Sequence, residues 1–203
     1  MWFWRDAEFQ TLKKVAEGAE ARPEWADYAA FCLELEKGLR DQAFATLERF
    51  IKQMEQASFS DRRCFVSWLL GEKQFCDSAH LLTPHPLRKR IIEPTLKEWT
   101  SVEPKSAEPL CWLGGYENFR HALKLDATSE FARYGLIKCI LDDVKFATHE
   151  LPSGYLGDPN GDLMLLTEAE QALSGTSYPD EWRSARADIA KQRKKVTDYL
   201  QSR

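Results

Sequence analysis

Apolar residues recur along this chain at intervals of three and four, with polar or charged residues between them. That spacing places the apolar side chains on one face of a helix. In the first segment Phe9, Leu12, Val15 and Ala16 share a face, and the stretch ARPEW at 21–25 ends it. The second segment, from about Pro23 to Lys37, carries Trp25, Tyr28, Ala29, Phe31, Cys32 and Leu35. It is apolar nearly all round, which predicts a helix packed on more than one side. Gly38 interrupts the pattern. A third helix over 40–56 buries Ala43, Phe44, Leu47, Phe50, Ile51 and Met54, with Glu48 and Lys52 paired on its outer face. Ser60 with Asp61 is the predicted cap of the next helix, which carries Phe65, Trp68, Leu69 and Phe75.

Prolines punctuate the middle of the chain. Pro86 and Pro94 each suit the first turn of a short helix, where the missing N–H has no intrahelical partner. The segment 101–110 holds Pro104 and Pro109 and reads as a connector. Helical spacing returns over about 110–124 and 129–148. The second of these is expected to bury Phe131, Ala132, Leu136, Cys139, Ile140, Val144 and Phe146. The stretch LPSGYLGDPNGD at 151–162 is a loop, and a helix through Leu166, Ala169 and Leu173 follows it. Pro179 and Asp180 open a final helix with Trp182, Ala185, Ile189, Val196 and Leu200 inside. No segment alternates with period two, so no strand is expected. The fold class is all-α, built of antiparallel helical hairpins stacked as an array or as an irregular bundle. The 203 residues form a single α-helical domain, 1–203, or two sub-units, 1–80 and 105–203, joined by the proline-rich connector.

Composition sharpens this picture in three respects. The chain is 43% hydrophobic and 30% charged, enough apolar material for a folded core. A net charge of -4 provides no overall basic field for nucleic acid. The basic runs RKR at 88–90 and KQRKK at 191–195 read as solvated helix faces. No uncharged run approaches the ~18–20 residues of a membrane span, and Asp6 and Glu8 interrupt the aromatic start before an export signal can form. The cysteines at 32, 64, 76, 111 and 139 are odd in number and lack a C-x-x-C pair, which fits reduced thiols in a cytoplasmic protein.

Two places resemble the tetratricopeptide repeat, a helical hairpin of ~34 residues. In FRHALKLDATSEFARYGL, Phe119, Ala122, Leu123, Leu125 and Asp126 match the end of a second helix running into the joint, and Ala132 and Leu136 match the next first helix. Ala127 stands where the joint proline is usual. In LEKGLRDQAFATLERF, Gly38 and Ala43 have the turn-to-small-residue spacing and Leu47 and Phe50 follow, although Phe50 is larger than the pattern prefers. The resemblance covers about a third of the chain. It implies a concave surface made of first helices that takes a protein or peptide partner. On the 129–146 helix that surface would show Tyr134, Lys138 and Asp142, four apart. On the 23–37 helix it would show Trp25, Tyr28 and Cys32, which suit a core rather better. The expected partner-binding residues are therefore Tyr134, Lys138, Asp142 and Tyr28. Two other classes stay open: a small inhibitor or immunity-type protein, and a helical-bundle enzyme with scattered site residues.

No constellation for catalysis or for a cofactor is expected. Cys76 and His80, with His85 beyond, have zinc-ligand spacing but lack a completing pair. Asp142, Asp143, His149 and Glu150 gather near one helix end, yet adjacent residues on a helix point apart. DPNGD at 158–162 fails the calcium-loop pattern, because Leu163 and Ala169 occupy the positions that need glycine and an acid. Gly114 and Gly115 have no phosphate-loop context, and nothing in the sequence fixes Cys111 against His121.

Overall fold

The computed structural model describes residues 6–73, 79–176 and 182–202. Among them every regular element is helical and none is a strand. The protein is all-α. The chain divides into two compact units, Met1–Pro104 and Lys105–Arg203. Cys76, Pro179 and Asp180 lie outside the described residues, and so do the zinc spacing built on Cys76 and the start assigned to the last helix.

The first unit contains α1 (Asp6–Glu20), α2 (Ala26–Glu36), α3 (Arg40–Gln56), α4 (Phe59–Lys73), α5 (Ala79–Leu82), α6 (His85–Leu87) and α7 (Glu93–Val102). α2 packs against both α1 and α3, as its all-round apolar character demands. Its Tyr28, Phe31 and Cys32 are fully buried. Tyr28 packs edge-on against Phe65 at 5.0 Å, and Phe65 against Phe50 at 4.8 Å. Aromatic pairs of this kind add about 0.5–1.5 kcal/mol beyond their buried area.

α4 is capped by Ser58, two residues before the predicted cap. Its hydroxyl accepts from the Asp61 amide at 3.2 Å and donates to the Asp61 carboxylate at 2.7 Å. Pro86 lies in the first turn of α6, but Pro94 does not begin a separate helix. Residues 85–102 are one continuous helical run, widened to a π turn over Arg88–Ile92. There the Glu93 amide donates to the Arg88 carbonyl, five residues back. A widened turn accommodates the proline ring that would otherwise strike the preceding turn. This run packs against α3 and α4 and belongs to the first unit. The RKR cluster is engaged within it. Arg90 binds Glu48 at 2.7 Å and Glu55 at 2.7 and 2.9 Å, while Arg88 and Lys89 both reach Glu93.

The second unit contains α8 (Glu108–Leu113), α9 (Tyr116–Leu125), α10 (Glu130–Ala147), α11 (Pro159–Ser174) and α12 (Arg183–Gln201). Each packs against the next, and α10 also meets α8 and α12. Side-chain pairings give the directions. Tyr116 reaches Asp143 while Phe119 lies under Gly135, so α9 and α10 are antiparallel. Tyr134 meets Trp182, Lys145 meets Asp188 and Thr148 meets Gln192, so α10 and α12 run the same way. α12 thus lies alongside α10, and α8 meets the start of α10 through Trp112 with Phe131 and Cys111 with Ser129. Those three helices begin at Glu108, Glu130 and Arg183, which are unequal intervals along the chain.

α9 and α10 approach one another closely at Gly135. A Cβ placed there would sit 2.2 Å from the Phe119 ring. Two expectations for α10 change. Phe131 is 37% exposed and Phe146 66% exposed, not buried. Phe131 packs on Trp112 of α8 at 4.8 Å. Phe146 lies beyond Asp143, the level at which α9 begins. Arg133 takes a core position instead. It is 4% exposed and donates to the carbonyls of Ala172, at the end of α11, and of Ala127, in the turn before α10, both at 2.6 Å. A cation at a helix C-terminus meets the negative end of the helix dipole.

Candidate functional site

The site begins at the joint between α9 and α10. The Asp126 carboxylate accepts from the Thr128 amide at 2.9 Å and hydroxyl at 2.6 Å, which holds its pKa below the ordinary value. Ser129 then caps α10, accepting from the Ala132 amide at 3.3 Å. An Asx turn feeding a serine cap fixes where the helix starts and hence which residues share each face. Ala132, Leu136, Ile140 and Val144 point into the core.

The other side of α10 forms one wall of a groove of about 460 Å³, and α12 forms the opposite wall. Tyr134, Lys138 and Asp142, spaced one turn apart, all line it. Tyr134 is 55% exposed and stands 5.9 Å from the buried Trp182 ring at one end. Ile137 and Leu141, both buried, form the floor with Ala185. At the far end Lys145 crosses to Asp188 at 2.8 Å. Lys138 binds Asp142 at 2.7 Å, and Glu130 lies 3.5 Å from Arg133. Every charge lining the groove thus has an opposite charge of its own chain beside it. Hydrogen bonding to Asp142 raises the Lys138 pKa, and hydrogen bonding to Lys145 lowers that of Asp188.

Three of the four predicted residues therefore meet in one place, and Tyr28 does not. It is wholly enclosed in the first unit, and its hydroxyl donates to the Leu82 carbonyl at 2.8 Å. No partner can touch a side chain with no exposed surface, so Tyr28 is core. Trp25 and Cys32 are core as well. Trp182, Ala185 and Asp188 were assigned no role by sequence reasoning, and they supply the second wall. The one signal for them was the placement of Trp182 and Ala185 on the apolar face of the last helix.

The remaining candidates stay apart. Asp142 faces the groove with Lys138, whereas Asp143 accepts from the Tyr116 hydroxyl at 2.7 Å. His149 pairs with Glu150 at 2.9 Å. Asp158 caps α11, accepting from the Asn160 amide at 3.0 Å. Burial raises the Cys111 pKa, and its sulfur lies 3.9 Å from the Ser129 hydroxyl. Among the described residues no three His, Cys, Asp or Glu side chains are grouped to hold a metal ion, and no helix is long and apolar enough to cross a membrane. Comparison with protein-family models, curated proteins and solved structures finds no match to this chain.

Proposed function

We propose that this chain is a non-catalytic, cytoplasmic interaction module whose stacked, tetratricopeptide-like hairpins bind a protein or peptide in the groove between α10 and α12. The observation that carries this reading is the convergence of Tyr134, Lys138 and Asp142 on one apolar-floored groove. Stacked helical hairpins present such surfaces along the layer of their first helices. In this reading that layer is α8, α10 and α12. A large tyrosine at the mouth of a groove with an aliphatic floor is a common anchor for a protein partner.

The test is retention of polypeptides by the immobilised chain, identified by mass spectrometry. Tyr134→Ala removes a ring that is more than half exposed, so the melting transition should stay close to that of the parent. Retention of the partner should fall about tenfold or more. Met164→Ala, on the exposed side of α11, should retain it normally. Equal retention by both variants would remove the groove from the function.

A further inference from the structure

The DPNGD stretch that opens α11 sets an asparagine before a glycine, Asn160–Gly161, and neither residue lines the groove. We propose that Asn160 is a site of spontaneous covalent conversion to aspartate and isoaspartate, with water as the co-reactant, and that the cap of α11 sets its rate. This inference is independent of partner binding.

The chemistry is internal to the pair. The Gly161 backbone nitrogen gives up its proton to solvent base and attacks Asn160 Cγ. The new N–Cγ bond closes a five-membered imide as the Cγ–Nδ2 bond breaks, and Nδ2 leaves as ammonia. Water then splits one of the two imide C–N bonds. Splitting N–Cγ restores the main chain with an ordinary aspartate. Splitting the bond to the Asn160 carbonyl carbon routes the main chain through Cγ, which is isoaspartate. The net change consumes one water and releases one ammonia. Glycine favours the attack because it has no Cβ to crowd the nitrogen. Asn160 is exposed, so water and base reach it.

The fold opposes the first step. Closing the ring requires the Cα–Cβ and C–N bonds of the asparagine to eclipse. Both residues lie in the first turn of α11, where a helical ψ of about −42° keeps those bonds apart. Hydrogen bonds hold that turn. The Asp158 carboxylate accepts from the Asn160 amide at 3.0 Å, and the Asp158 carbonyl accepts from the Asp162 amide at 2.9 Å. The Asp162 carboxylate in turn accepts from the Tyr155 hydroxyl. Conversion therefore proceeds from the fraction of molecules in which the turn has opened, a local event that leaves the rest of the chain folded. The two products differ in effect. Aspartate adds a negative charge where a helix N-terminus favours one. Isoaspartate adds an atom to the main chain between Asp158 and Asp162. Their backbone bond is then out of register, and the tie to Tyr155, which stacks on Tyr199 of α12 at 5.0 Å, is displaced with it.

The experiment incubates the whole chain in neutral buffer and follows Asn160 by peptide mapping, with chromatographic separation of the two products. Asp158→Ala should accelerate conversion about 2–30-fold, the factor that corresponds to loss of a helix cap. In concentrated urea, where the turn is absent, the parent and Asp158→Ala should convert at one rate, faster than the folded parent. Gly161→Ala in urea should convert more slowly than either. Equal rates for the parent and Asp158→Ala in buffer, or a folded parent that converts as fast as in urea, would overturn control by the cap. No conversion of Asn160 in urea, or conversion undiminished in Gly161→Ala, would overturn the site itself.

Discussion

Replacing Gly135 by alanine should destabilise the second unit even though alanine is the better helix former. Inside a helix the exchange gains about 1 kcal/mol of intrinsic propensity. Against this, the new methyl group would lie 2.2, 2.3 and 2.7 Å from three atoms of the Phe119 ring. Carbon atoms normally meet at about 3.5–4.0 Å, so the ring must retreat by more than an ångström. Phe119 is only 7% exposed and packs within the core of the unit, so it has nowhere to go without moving α9. Overpacking of this kind costs about 1–3 kcal/mol. The clash is at the severe end, so the net loss expected is about 1–2 kcal/mol. Gly71, in α4, has open space around its would-be methyl group. Gly71→Ala should therefore stabilise the chain by up to about 1 kcal/mol. Urea unfolding followed by circular dichroism measures both. In a Phe119→Leu background the smaller side chain should relieve the clash, and Gly135→Ala should then cost at least about 1 kcal/mol less. If Gly135→Ala is as stable as Gly71→Ala, the close crossing of α9 and α10 is wrong.

Arg133→Met keeps most of the volume but leaves the Ala172 and Ala127 carbonyls without their charged donor, and should cost about 3 kcal/mol in the same unfolding assay. Arg133→Lys should recover at most half of that, since one ammonium cannot reproduce the two-pronged grip of a guanidinium. Burial pushes the Cys32 thiol up to about 12 from an ordinary value of 9.0. The unfolded chain ionises first, so the contribution is fully present below pH 9 and stability should fall as pH rises from 9 toward 12. Tyr28 is raised for the same reason, chiefly by burial. Unfolding midpoints across that range, flatter in Cys32→Ala, check the sign. Thiol labelling of Cys32 should be seen only in denaturant.

The helices were legible because burial imposes a 3.6-residue period, and the Tyr134, Lys138 and Asp142 face was legible for the same reason. What was not legible depended on neighbours that periodicity does not name. Tyr28 looked like a surface candidate because α2 is apolar all round and offers no polar face to orient it. Phe131 and Phe146 satisfied the periodic pattern, yet they fall where short α8 and α9 leave α10 uncovered. Arg133, charged and flanked by apolar residues, was passed over because its burial depends on two carbonyls supplied by α11 and by the preceding turn. Gly135 between Ala132 and Leu136 was the missed signal, since a glycine within a helix often marks a close approach. For the opposite wall the local pattern marks only Trp182 and Ala185 as apolar positions, because Lys145 and Asp188 are brought together only by the fold.

The bond from Tyr28 to the Leu82 carbonyl bears on how the chain is made. The two residues are 54 apart in sequence. During synthesis α1, α2 and α3 emerge first and can pair with one another at once. The phenol at the centre of that trio then lacks its Leu82 acceptor until that residue is added, roughly 1–5 s after α3 is complete at the usual rates of elongation. A buried hydroxyl without a partner is costly, so the nascent three-helix layer should stay loosened around Tyr28 during that interval. It closes only when the α5 segment arrives.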